Sequence, residues 1–181
     1  MIRNDFSNCF LSFFNPNYTF ENFVVNSSNQ LSHAASIAVT EMIGTKYNPL
    51  FIYGKKDLDK THLIHAIGNE ILRKRPKACV CYISSEQFMR ELTAALVTLS
   101  LSTIRAFRRC FQELDVLLMD DIQFIAGKDR PQEEFFHVFN SLYEKNKQIV
   151  ITSDRHPQEI QNLEERLCFR LQWGLIVDVQ K

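Results

Sequence analysis

Two short stretches about sixty residues apart carry side chains suited to binding phosphate and a divalent cation. In the first, the apolar run Phe51-Ile52-Tyr53 breaks into Gly54-Lys55-Lys56-Asp57-Leu58-Asp59-Lys60-Thr61. In the second, Val116-Leu117-Leu118-Met119 breaks into Asp120-Asp121. The first follows the phosphate-loop pattern G-x-x-x-x-G-K-[ST] at Gly54, Lys60 and Thr61. In such a loop, backbone amides curl around phosphate oxygens and the lysine reaches the outer phosphates. The threonine hydroxyl holds Mg2+. Asp120 would complete the Mg2+ shell, and Asp121 would orient an attacking water, which is the chemistry of phosphoryl transfer from ATP.

Asp59 stands where the pattern has its second glycine. Glycine in such a loop permits positive φ and close approach of the ligand. A carboxylate about 4 Å from a phosphate costs on the order of 4 kcal/mol at an effective dielectric of about 20, roughly three decades of affinity. Lys55 and Lys56 offset part of this. The expectation is a retained fold with weak ATP binding.

The elements that must position these residues read as alternating strands and helices. Strands are expected at 51–53, 79–83, 114–119, 148–152 and 175–179. Asn29 is placed to cap a helix through Leu31, Ala35, Val39 and Met42. A helix from Lys60 runs to about Arg75, where Pro76 ends it. Ser84-Ser85-Glu86-Gln87 is a capping-box pattern opening a helix through Phe88, Leu92 and Leu96. A further helical stretch carries Ile104, Phe107 and Phe111. Pro131 marks another helix start, with Glu133 and Glu134 favourable in its first turn, and a short helix is expected at 163–169. This alternation implies an α/β fold of three layers: a five-stranded parallel sheet covered by helices on both faces. Ligands of such sheets bind beyond the carboxyl ends of the strands. That rule gathers Lys60, Thr61, Asp120, Asp121 and Asp154 on one edge.

At 181 residues the chain forms one domain able to bury a core. It has 21 Lys plus Arg against 21 Asp plus Glu, and this neutrality argues against a dedicated duplex-DNA binder. No run is long and apolar enough to span a membrane. The five cysteines (Cys9, Cys79, Cys81, Cys110 and Cys168), odd in number and without an export signal, point to free thiols in a cytoplasmic protein. Cys79 and Cys81 would face one side of a strand as buried structural thiols. Residues 1–14, whose phenylalanines are interrupted by Asn8, Cys9 and Ser12, read as a flexible leader or a docking segment.

Further stretches are distinctive: Asn15-Pro16-Asn17-Tyr18-Thr19-Phe20-Glu21-Asn22-Phe23, Tyr47-Asn48-Pro49-Leu50-Phe51-Ile52-Tyr53-Gly54 and Lys60-Thr61-His62-Leu63. So are Leu118-Met119-Asp120-Asp121-Ile122-Gln123-Phe124, Gln132-Glu133-Glu134-Phe135-Phe136-His137, Leu163-Glu164-Glu165-Arg166-Leu167 and Trp173-Gly174-Leu175. Through them the chain, from about Asn15 onward, resembles the AAA+ ATPase domain of the DnaA family of bacterial replication initiators. The resemblance implies a P-loop NTPase (AAA+) domain over 15–181. Lys60 and Thr61 match the Walker A pair, Asp120 and Asp121 match Walker B, and Asp154 falls at the sensor position. Arg170 matches the arginine finger that reaches a neighbouring subunit's nucleotide, and Arg166 another arginine of that segment. Arg130, with Lys128, matches the part of the family that contacts single-stranded DNA.

The chain also departs from the family. Lys55, Asp57 and Asp59 replace its usual glycines, and the sequence stops before the helical lid and the domain that reads duplex DNA. Sequence-specific duplex binding is therefore not expected. The reading is a DnaA-like ATP- and Mg2+-binding module in replication initiation, with weakened nucleotide binding and slow hydrolysis if any. Its expected partners are DnaA-type subunits, itself or a full-length initiator, and single-stranded DNA. The alternatives are a nucleotide-independent protein that docks on a full-length initiator and modulates its assembly, or a non-functional remnant.

Overall fold

The computed structural model describes residues 13–55, 59–97 and 101–180. Five parallel strands form one sheet: β1 (Leu50–Tyr53), β2 (Val80–Ser84), β3 (Val116–Asp120), β4 (Gln148–Ser153) and β5 (Leu175–Asp178), in the order β2-β3-β4-β1-β5. Six α-helices connect or flank them: α1 (Gln30–Glu41), α2 (Lys60–Lys74), α3 (Ser85–Val97), α4 (Leu101–Gln112), α5 (Asp129–Tyr143) and α6 (Glu165–Leu171). Each expected element is present, with ends shifted by one or two residues. No lid helix follows β5 among the described residues.

Side-chain alternation along the strands makes two cores. Leu50 and Ile52, Val116 and Leu118, and Val150 point to the side that α1 and α2 cover with Val39, Leu63, Ile64, Ile67 and Ile71. Phe51, Leu117, Met119, Ile149 and Ile151 point to the other side, under Phe88, Leu92, Phe111, Phe135 and Phe139 of α3, α4 and α5. Strands buried on both faces need continuous apolar runs, and these strands have them.

Local details differ from the sequence reading. Asn29 precedes α1 but caps nothing: its side chain accepts from the Asn26 amide at 2.9 Å and donates to the Val24 carbonyl at 3.0 Å, folding the turn before the helix. Ser84 does cap α3, accepting from the Gln87 amide at 3.2 Å. Glu134, expected to be a helix-start charge, is fully buried and takes ion pairs from Arg108 and Arg130.

Two cysteine expectations fail. Cys79 lies just before β2 and is exposed, while Cys81 is buried; the strand starts one residue too late for both to point inward. Cys110 is disulfide-bonded, whereas Cys79, Cys81 and Cys168 form no disulfide. Parity and compartment constrain how many thiols can pair, but pairing itself depends on spatial approach.

The expected leader falls mostly outside the described residues. Its last residue, Phe14, packs its ring against α2, and a Cβ on Gly68 would come within 2.0 Å of that ring. His62, His65 and Asn69 of α2 bond to the backbone of Asn15, Tyr18 and Thr19, so this segment is strapped to the helix that begins at Lys60.

Candidate nucleotide site

Strand parity decides which side chains meet at the carboxyl edge. Val116, Leu118 and Asp120 share the α2 side of β3, and Val150 and Thr152 share it on β4. The register pairs Ser84 with Asp120 and Tyr82 with Leu118, which brings Tyr82 of β2 to the same side. Asp120 is 4% exposed and faces the first turn of α2. Its Oδ2 accepts from the Thr61 hydroxyl at 3.1 Å and from the Tyr82 hydroxyl at 2.9 Å, while its Oδ1 accepts from the Thr152 hydroxyl. Burial, together with the Asp120 charge, pushes the Tyr82 phenol far above its ordinary range, so it stays a donor.

Lys60 is 5% exposed, and its Nζ donates to the carbonyls of Gly54 and Lys55, each at 2.8 Å. The lysine thereby ties the exit of β1 to the start of α2. Gly54 is held in turn by its amide, which donates to the Ser153 carbonyl at 3.2 Å. Asp59 immediately precedes α2 with φ −67°. Any residue adopts that φ, so this position does not demand glycine for its backbone. The carboxylate is exposed and, among the described residues, makes no hydrogen bond or ion pair.

Asp121 adopts a left-handed conformation with φ +56°. Its amide donates to the Thr152 hydroxyl at 2.9 Å, and its carbonyl accepts from Ser85. Those bonds hold a conformation that costs most L residues about 1–2 kcal/mol, though Asp tolerates it better than most. Burial raises the Asp121 carboxyl pKa, and the neighbouring Asp120 and Asp154 charges add to this against the opposing Gln123 bond and Lys60 charge. Gln123 donates to Asp121 Oδ1 at 3.0 Å and accepts from the Asp154 amide at 3.3 Å, bridging the two. The Asp154 carboxylate turns instead to Arg155 at 2.7 Å, and that bond lowers its pKa.

The structure thus gathers Gly54, Lys60, Thr61, Asp120, Asp121 and Asp154 on one edge. Sequence reasoning did not single out Tyr82, Thr152, Ser85 or Gln123 as parts of the site. The hydroxyl of Thr61 and the carboxylate of Asp120 form a hard-oxygen pair suited to Mg2+, which takes few protein ligands and keeps waters or phosphate oxygens for the rest.

Arg170 lies elsewhere. On α6 it stacks 3.8 Å above the Trp173 ring, with Arg166 4.6 Å from the Phe136 ring. No contact joins Arg170 to the nucleotide edge within the described residues. The two residues expected to meet DNA also separate. Lys128 lines an open cleft of about 910 Å³ between α3 and the start of α5, together with Met89, Arg90, Val97 and Pro131. Its Nζ donates to the Phe124 carbonyl at 2.9 Å. Arg130 instead pairs with Glu133 and Glu134, each at 2.8 Å.

A five-stranded parallel sheet whose first strand leads into a lysine-threonine helix start, facing an acidic pair two strands away, defines a P-loop nucleotide fold of the AAA+ class. The chain belongs to the bacterial DnaA ATPase domain family, whose model matches residues 14–178. It is 57% identical over 166 residues to the chromosomal replication initiator protein DnaA of Citrifermentans bemidjiense, covering 92% of this chain and 36% of the relative. It is similar to a replication initiator DnaA bound to AMPPCP and single-stranded DNA, with a TM-score of 0.88 and 42% identity over 94% of this chain and 52% of the other. It is also similar to domain III of the Thermotoga maritima replication initiation protein DnaA, with a TM-score of 0.89 and 43% identity over 93% of this chain and 69% of the other. The chain spans about a third of the length of the curated relative it matches.

Proposed function

We propose that this chain is a cytoplasmic ATP-binding module of replication initiation, weakened at its phosphate loop, that assembles with DnaA-type subunits. The observation that carries the reading is the bond from Thr61 to Asp120 beside the buried Lys60, which sets a phosphate-binding helix start against a carboxylate. In this reading Lys60 exchanges its carbonyl partners for the outer phosphates. Thr61 and Asp120 hold Mg2+, which when bound neutralises charge on the phosphates. Asp121 orients the attacking water as an acceptor, and Gln123, bonded to its Oδ1, keeps it aimed. Asp154 stands at the sensor position, its amide tied to Asp121 through the same glutamine.

Arg170, stacked on Trp173, serves in this reading as the group offered to a neighbouring subunit's nucleotide. The cleft beside Lys128 offers an apolar floor and a cation to single-stranded DNA, a ligand that one similar protein holds in its structure. A second reading, nucleotide-independent docking on a full-length initiator, draws on the same Arg170: its stacking on Trp173 involves no residue of the phosphate loop. Adding this chain to an assembling full-length initiator tests it; an unchanged assembly rate and ATP turnover would rule that reading out.

Mg-ATP at about a hundredfold excess over its dissociation constant stabilises a binding protein by about 2.7 kcal/mol. For a domain of this size that is roughly 5–10 °C in melting temperature. The expected result is such a shift at millimolar Mg-ATP, lost in Lys60→Ala. Equal melting temperatures with and without nucleotide, in this protein and in Asp59→Gly, would refute nucleotide binding.

A further inference from the structure

We propose that Tyr82 is a positioning residue for the metal-binding carboxylate, holding Asp120 in place when Thr61 turns its hydroxyl to the cation; this rests on the nucleotide reading above. In the structure Oδ2 of Asp120 serves two donors, Thr61 at 3.1 Å and Tyr82 at 2.9 Å. The Thr61 hydroxyl is the group a cation recruits, so its bond to the carboxylate is the one given up on loading. A carboxylate held by Thr152 alone would be anchored at one oxygen and free to rotate about its Cβ–Cγ bond. The Tyr82 hydroxyl prevents this. It comes from β2, on the opposite side of β3 from Thr152, so the two hydroxyls fix the carboxylate plane from both flanking strands.

The ring is itself immobilised. His65 packs against it with centroids 4.2 Å apart, and Phe14 lies against both rings, 6.2 Å from the Tyr82 centroid and 5.7 Å from that of His65. His65 is fixed by the Asn15 amide, which donates to its Nδ1 at 3.2 Å. The strap of residues 14–19 therefore lies behind the tyrosine. A phenol that merely satisfied its own hydroxyl would need one acceptor of any kind; this one spends its bond on the atom that the cation site shares.

Tyr82→Phe removes the hydroxyl and keeps the ring contacts, so the variant is expected to fold, with its ligand-free melting temperature as the check. The experiment titrates Mg2+ into the protein at fixed fluorescent ATP analogue, and separately measures analogue affinity in EDTA. Loss of a group that orients a metal ligand characteristically weakens metal affinity about tenfold or more. The expected result is an approximately tenfold rise in the Mg2+ concentration for half-saturation, with metal-free affinity changed less than about twofold. An unchanged Mg2+ requirement, or an equal loss with and without the metal, overturns the positioning role and leaves nucleotide binding intact. The same pair is measured in Asp59→Gly. Absence of analogue binding in both parent chains would instead overturn the nucleotide reading, and the role of Tyr82 with it.

Discussion

Asp59→Gly is expected to tighten ATP binding by between roughly tenfold and a thousandfold. The width of that range comes from solvent. Two charges about 4 Å apart interact by about 1 kcal/mol in water and about 4 kcal/mol at a dielectric of about 20. The Asp59 carboxylate is exposed, which draws the expectation toward the lower end; its position directly before α2, beside the buried Lys60, draws it upward. Because φ at this residue is −67°, the substitution relieves charge and crowding rather than backbone strain.

Asp59→Asn separates the two, since it removes the charge and keeps the bulk. If repulsion dominates, Asn recovers most of the gain, and the difference from the parent shrinks as salt is raised. If bulk dominates, only Gly recovers it. The comparison among variants is made on dissociation constants. An acid at a helix N-terminus stabilises by about 0.3–1 kcal/mol, so removing it lowers the ligand-free melting temperature, and each variant's nucleotide-induced rise is taken from its own ligand-free value. Identical affinities for Asp59, Asn and Gly would mean that the carboxylate points away from the phosphates. The departures at Lys55 and Asp57 would then account for any weakness.

What could be read from the sequence, and what could not, divides along chain locality. The strands were legible because each is an apolar run bounded by charge, proline or a turn; β1, β3 and β4 are buried along nearly their whole length, and the edge strands β2 and β5 keep the apolar run though they are only half covered. Asp120 was legible because it lies at the end of such a run, and Lys60 and Thr61 because their spacing from Gly54 follows the phosphate-loop pattern. Tyr82 and Thr152 were not. Their role follows from β2 and β4 flanking β3 and from the register that sets Ser84 beside Asp120, neither of which any single segment encodes. Gln123 sits two residues after Asp121, close enough to suspect, but its bridge to Asp154 depends on β4 ending beside it. Glu134 looked like a helix-start acid. Arg130 is its neighbour one turn back on α5, but only the packing of α4 on α5 brings Arg108 to it and buries it.

That last residue carries the second large effect. The Glu134 carboxylate is fully buried; it receives Arg108 in a two-pronged bond at 2.8 and 3.0 Å, and Arg130 at 2.8 Å. Removing one partner of a buried pair typically costs about 3–5 kcal/mol, because the charge left behind stays unpaired and out of water. Here the groups left behind are arginines whose side chains are 38% and 44% exposed, and both can turn toward solvent. The expected loss for Glu134→Gln is therefore about 2–3 kcal/mol, below the range for fully enclosed pairs. In a domain of this size it appears as a melting temperature lower by roughly 4–12 °C. Glu133→Gln, which breaks only an exposed pair with Arg130, should shift stability by less than about 1 kcal/mol.

Glu134→Gln is expected to act the other way on DNA. It removes one negative charge and frees Arg108 and Arg130, the latter next in sequence to the Pro131 that lines the Lys128 cleft, so affinity for an oligothymidylate should rise and become more salt-dependent. A variant less stable yet tighter on single-stranded DNA would identify Glu134 as the group that restrains these arginines. Loss of stability with unchanged DNA affinity would confine the network to joining α4 with α5, and would remove Arg130 from the DNA site.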